Sequence, residues 1–70
     1  MMLDELKRQI KAYKMAKACI SRLKVDWVGL CPLVIRDMKM AILHSCFEYY
    51  NLHHIPNWIW FTYIGIYDGD

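Results

Sequence analysis

The chain has 70 residues, 57% of them apolar, and a formal net charge of +2. One domain of this size buries only about 60% of the surface its unfolded form exposes, and its apolar content exceeds that of an average domain even when Gly replaces Tyr in the count. The longest apolar run, 55–67, contains Pro56 and falls short of the roughly 20 residues of a spanning helix, and the charged start (Asp4, Glu5, Lys7, Arg8) has no apolar core of a secretory signal.

Charge is unevenly placed. Residues 1–25 hold seven Lys and Arg against two acids, and residues 26–70 hold two against five, an asymmetry that suits head-to-tail or antiparallel association or a basic binding face. Three cysteines, Cys19, Cys31 and Cys46, cannot all pair within one chain. An odd count without a CxxC motif points to a reducing compartment, so a soluble, cytoplasmic protein is expected.

Residues 2–28 read as the first helix. Leu3, Leu6, Ile10, Tyr13, Ala16, Cys19, Ile20 and Leu23 recur at three- and four-residue steps, while Lys7, Arg8, Lys11, Lys14 and Arg22 lie across from them. Lys17 and Lys24 flank the stripe, where their methylene stems can cover apolar neighbours. Gly29 fits the left-handed position after a helix end, with Leu30 touching Val25. The turn is then 29–31, short enough to favour packed neighbours.

The second helix is expected over 32–54. Pro32 suits its first position, Cys31 is a poor N-cap by residue type, and Leu30 and Ile35 stand as a hydrophobic staple would place them. At about 100° per residue, Val34, Ile35, Met38, Ala41, Ile42, Ser45, Tyr49 and Leu52 share one face and read as the core stripe. Leu33, Met40, Leu43, Phe47 and Tyr50 make a second ridge opposite. A helix apolar on two sides needs cover on both, which makes this segment the middle layer. Pro56 ends it by pushing Ile55 out of the α region, and His53 and His54 fall where a helix dipole would favour their protonation.

Residues 57–67 (NWIWFTYIGIY) are aromatic and β-branched, which favours strand, yet no second strand is available to pair with it. Strand or extended chain is expected ahead of a short helix started at Asn57, and 67–70 (YDGD) reads as a frayed end. The fold class is mainly α: a helical hairpin of two long helices with an aromatic C-terminal segment that is extended, strand or short third helix.

Candidate chemistry is sparse. Asp37, His44, Glu48 and Asn51 share a polar strip, but Asp37 and His44 lie about 10.5 Å apart along a helix axis, so only His44 and Glu48 could chelate together. Cys31 at a helix N-terminus has a mechanism for reactivity, set against apolar neighbours that favour an inert thiol. Neither Ser21 nor Ser45 sits in a nucleophile turn, and no phosphate-binding glycine motif occurs. The chain is therefore expected to be non-catalytic, with no cofactor and no metal.

The expected function is protein–protein interaction, as self-association or as an adaptor, inhibitor or assembly subunit. Its interface would combine Met40, Leu43, Phe47 and Tyr50 with Trp58, Trp60, Phe61 and Tyr63, because Trp and Tyr bury large areas while keeping a polar handle. The alternative is a nucleic-acid-associated protein using Lys7, Arg8, Lys11, Lys14 and Arg22 on phosphates. Against it stands the predominance of Lys over base-reading Asn, Gln and Arg.

Overall fold

The computed structural model describes residues 2–65. Three helices follow one another: α1 (Met2–Arg22), α2 (Pro32–Tyr49) and α3 (Asn57–Ile64), with a 3₁₀ turn at Trp27–Gly29 between the first two. Among the described residues there is no strand, so the architecture is a mainly α hairpin with a short third helix. The expected extended conformation of the aromatic segment is corrected to helix, and its part beyond Gly65, with the expected frayed end, lies outside the described residues.

Local chemistry explains each boundary. Asp4 and Glu5 occupy the first turn of α1 and Arg22 its last, each the sign that the helix dipole favours there. The helix ends at Arg22, six residues before the expected 28. Leu23 N–H donates to Ile20 O at 3.1 Å, tightening the final turn, and the β-branched or aromatic Val25, Trp27 and Val28 give little reason to continue. Gly29 does not cap α1 and has no positive φ. It closes the 3₁₀ turn by donating to Asp26 O at 3.2 Å, and a Cβ there would stand 3.1 Å from the Asp26 carboxylate.

Cys31 precedes α2 with extended backbone (φ −60°, ψ 136°) and no side-chain cap, and its carbonyl accepts from the N–H groups of Val34 and Ile35. Pro32 takes the first helical position, where a missing N–H costs nothing. The far end is a Schellman motif. Asn51, at φ +57°, donates to Glu48 O at 2.9 Å, and Leu52 donates to Phe47 O at 2.9 Å. The helix thus stops at Tyr49 rather than running to 54, and Leu52 is buried, as the residue after such a cap usually is. Pro56, with φ −67° and ψ 153°, starts α3, and Gly65 at φ +81° closes it by donating to Phe61 O.

The hairpin is antiparallel. Arg8 Nη1, near the start of α1, donates to Tyr50 O at the end of α2, at 3.0 Å. The third helix lies along both: Trp58 sits edge-on to the Tyr13 ring at 5.9 Å, and Tyr63 contacts the same ring at 6.2 Å. The core that results contains Ala12 and Ala16 of α1, Leu43, Cys46 and Phe47 of α2, Leu52 and Ile55 of the turn, and Ile59 and Tyr63 of α3. Ala12, Ala16, Leu43 and Ile59 have no exposed surface.

This core reverses the expected roles of the two α2 faces. The ridge assigned to an interface is inside: Leu43 and Phe47 are covered by α1 and α3, and Met40 and Tyr50 are half-buried beside them. Most of the stripe assigned to the core is outside, with Val34, Ala41, Ser45 and Tyr49 exposed and Ile35, Met38 and Ile42 half-buried, and only Leu52, beyond the helix end, is buried as expected. The reason is volume: fully burying a Leu or Phe gains about 1.5–3 kcal/mol, and an Ala or Ser much less.

Two outcomes test this packing. Phe47→Ala should cost about 3–5 kcal/mol of stability and Leu43→Glu should unfold the monomer, both read by urea denaturation followed by circular dichroism. Retained helicity in Leu43→Glu would put that ridge back on the surface. At the cap, Asn51→Gly should be neutral or slightly stabilising, whereas Asn51→Val should cost on the order of 1–2 kcal/mol, since a β-branched residue at positive φ is strained.

Candidate interaction surfaces

The basic residues of α1 are where periodicity put them. Lys7, Arg8, Lys11, Lys14 and Arg22 are all exposed, and Arg8 is also tied to the end of α2. Lys17 lies over the Tyr13 ring, its Nζ 5.4 Å from the centroid, so one flanking lysine does cover an aromatic neighbour.

The eight residues expected to form an interface divide. Leu43, Phe47 and Tyr63 are spent on the chain's own core, which leaves them no free surface for a partner. Met40, Tyr50, Trp60 and Phe61 are half-buried, and Trp58 is 41% exposed. Sequence reasoning missed the apolar residues that do face outward: Leu3, Leu6, Leu23, Val28, Leu33, Val34 and Tyr49. Tyr49 is the extreme among the aromatics at 73%. The signal available was the interruption of the expected core stripe by the small residues Ala41 and Ser45.

Of these, Leu23 borders the hairpin's open side, and Leu3 and Leu6 line a separate hollow on α1. α3 covers one groove between α1 and α2; the other remains, with a volume of about 340 Å³, bounded by Cys19 on α1 and Leu23 just after it and by Ala41, Ile42, Ser45 and Cys46 on α2. At its centre Ala41 and Ser45, one turn apart, present no bulk, which leaves room for another helix to approach closely. Val34 and Tyr49 continue the same α2 face toward either end.

A second concavity, of about 460 Å³, lies where α2 ends and α3 begins, walled by His44, Glu48, His53, His54, Asn57 and Trp60. The His44 ring packs against Trp60 at 5.5 Å between centroids. Asp37, His44, Glu48 and Asn51 are exposed, as a solvated polar strip would be. Because α2 stops at Tyr49, His53 and His54 lie beyond its last turn rather than within it. Among the described residues no three His, Cys, Asp or Glu side chains come together as metal ligands. Cys31 is exposed rather than enclosed, and no described helix is long and apolar enough to cross a membrane.

Cys46 and Tyr63 belong to the same buried cluster. Burial, reinforced by the neighbouring Cys19, pushes the Cys46 thiol above its ordinary range. Burial likewise pushes Tyr63 upward, with Cys46 and then Cys19 adding to it. Among the described residues Tyr63 Oη has no hydrogen-bond partner, a cost of about 1–3 kcal/mol for a buried hydroxyl.

Both groups fold as neutral acids whose folded pKa exceeds the unfolded one, so the folded state holds protons that the unfolded state releases. Stability is therefore full below the ordinary values of 9.0 and 10.0 and falls as pH rises past them. Urea midpoints from pH 7 to 11 should show that decline, and Tyr63→Phe should flatten its upper part while raising stability near pH 7 by on the order of 1 kcal/mol. A Tyr63→Phe chain less stable at pH 7 would show that the hydroxyl has a partner in solution.

Compared with protein-family models, with curated proteins and with solved structures, the chain matches none.

Proposed function

We propose that the chain is a small non-catalytic helical protein that acts by protein–protein interaction, and that its partner is a second copy docked along the open groove of α1 and α2. The observation that carries this reading is the distribution of large apolar side chains. Among the described residues eight are exposed (Leu3, Leu6, Leu23, Val28, Leu33, Val34, Tyr49 and Trp58), whereas the core holds six large ones beside Ala12, Ala16 and Cys46. Scattered single exposures need no explanation, but Leu23, Val34, Ile42 and Tyr49 follow one groove and one helix face.

The form of the patch selects the second copy as occupant. The groove is apolar, and α2 is balanced in charge, Asp37 and Glu48 standing against Arg36 and Lys39 with Arg36 Nη2 3.7 Å from Asp37 Oδ1, so no like-charge excess on α2 opposes a second copy. A two-fold pairing about the groove lets the same apolar patch serve both copies. Ala41 and Ser45 allow the axes to approach.

Light scattering at two concentrations, in low and high salt, tests this. The wild-type chain should give twice its 8.4 kDa and keep that mass in high salt, because the seam is apolar. Ala41→Arg, at an exposed position, should give a monomer with unchanged circular dichroism. A wild-type chain monomeric at every concentration would overturn self-association.

One observation favours a second reading, nucleic-acid association: six basic side chains on α1 are exposed together. Fluorescence anisotropy with a generic duplex at roughly 50 mM salt should then show binding that weakens steeply as salt rises, and Lys11→Gln with Lys14→Gln should reduce the slope of log affinity against log salt by about two. Absence of binding at low salt removes this reading.

A further inference from the structure

The open groove has two thiols in its floor. Cys19 of α1 and Cys46 of α2 both border it, Cys19 half-buried and Cys46 buried, and neither is in a disulfide. They border the same groove from opposite helices, and Cys19 is among the neighbours that push the Cys46 thiol upward. Tyr63 of α3 belongs to the same buried cluster as Cys46, so the floor of the groove backs onto the third helix. Cys31, in contrast, is exposed just before α2, at the end of the hairpin where the helices are joined.

Such an arrangement differs from a cysteine used only as a small core residue. Packing needs one such side chain at a position; here two from separate helices line one groove, and Cys19, the less buried, remains reachable from it. We infer that Cys19 and Cys46 form a reversible oxidation site, closing to an intrachain disulfide that staples α1 to α2.

The chemistry is thiol–disulfide exchange with a low-molecular-weight disulfide as oxidant. Cys19, the more accessible thiol, loses its proton and attacks one sulfur of the oxidant. That S–S bond breaks, a mixed disulfide forms at Cys19, and the first small thiolate leaves and takes up a proton. Cys46 then gives up its proton and attacks the Cys19 sulfur, expelling the second small thiolate, which is protonated in turn. The two protein thiols are oxidised by two electrons, and the small disulfide is reduced to two thiols. Burial of Cys46 orders these steps, because the thiolate is the nucleophile and burial disfavours it.

The bridge would join the two long helices across their connection and restrict the unfolded chain, which is how a disulfide raises stability. It does not depend on what occupies the groove. A docked second copy would shield Cys19, so the bridge should form more slowly in an associated chain than in a monomer.

The test uses Cys31→Ser, which removes the exposed thiol, and Cys31→Ser with Ala41→Arg, which keeps the groove open. Each is incubated with 2-hydroxyethyl disulfide near pH 8 and examined by intact mass and peptide mapping. The expected product has lost two hydrogens, links the Cys19 peptide to the Cys46 peptide, and unfolds at a midpoint higher by roughly 10 °C, a shift that dithiothreitol reverses. Adding Cys46→Ser should leave a mixed disulfide at Cys19 and no internal link. Stable adducts on both cysteines, links only between chains, or unreacted thiols in both backgrounds would each overturn the inference.

Discussion

The structure depends on the close approach of α1 and α2, and that approach depends on Ala12 and Ala16. Two alanines one turn apart on α1 leave a shallow strip with no exposed surface. Leu43 and Phe47, one turn apart on α2, belong to the same buried cluster. Large residues meeting small ones let two helices interdigitate without strain. In a chain of 70 residues, there is little other apolar volume to substitute for this contact. α3 then closes the remaining side with Ile59 and Tyr63, supplying bulk where the alanines supply none.

Position along the chain follows from the caps as much as from the core. If α2 ran on to 54, the chain would leave the hairpin more than one turn further along the axis. Asn51 instead turns it at φ +57°, Leu52 and Ile55 fold inward, and Pro56 begins α3 close enough to lie back over the hairpin. The Arg8 bond to the carbonyl of Tyr50 fastens the same corner from α1. One residue with a tolerated left-handed conformation thereby determines which α2 face α3 can reach. Once it lies on the Leu43 and Phe47 side, the opposite face must go without intrachain cover.

Much of this was legible in the sequence. The two long helices, Pro32 as the first residue of α2, the turn near Pro56 and the basic side of α1 follow from periodicity and from the restrictions proline imposes. Other features were harder to read. Asn51 was hidden because apolar periodicity continues through Leu52, so a helix end looked like one more turn. The aromatic segment favours strand residue by residue, but eight residues without a pairing partner satisfy their backbone better as a helix packed on a hairpin. The α2 faces were exchanged because both are periodic, and counting apolar positions gives Ala41 the weight of Phe47. Weighing volume would have placed Leu43 and Phe47 inside. The Cys19–Cys46 meeting depends on helix register, which no spacing within either helix specifies.

The apolar face left over on α2 has a physical meaning of its own. A helix with one covered face ordinarily turns polar residues outward, and α1 does so over most of its length with Lys and Arg. The outer side of α2 keeps Val34, Met38, Ile42 and Tyr49 while its polar residues gather elsewhere, into the strip of Asp37, His44, Glu48 and Asn51. Folding of the single chain gains little from that choice, because these side chains remain wholly or partly in water. The gain comes when something removes them from water. Because α1 and the residue that follows it contribute Cys19 and Leu23 to the same groove, its occupant would contact both helices at once. It would thereby stabilise the α1–α2 approach on which the rest of the fold relies, so that association and folding reinforce one another.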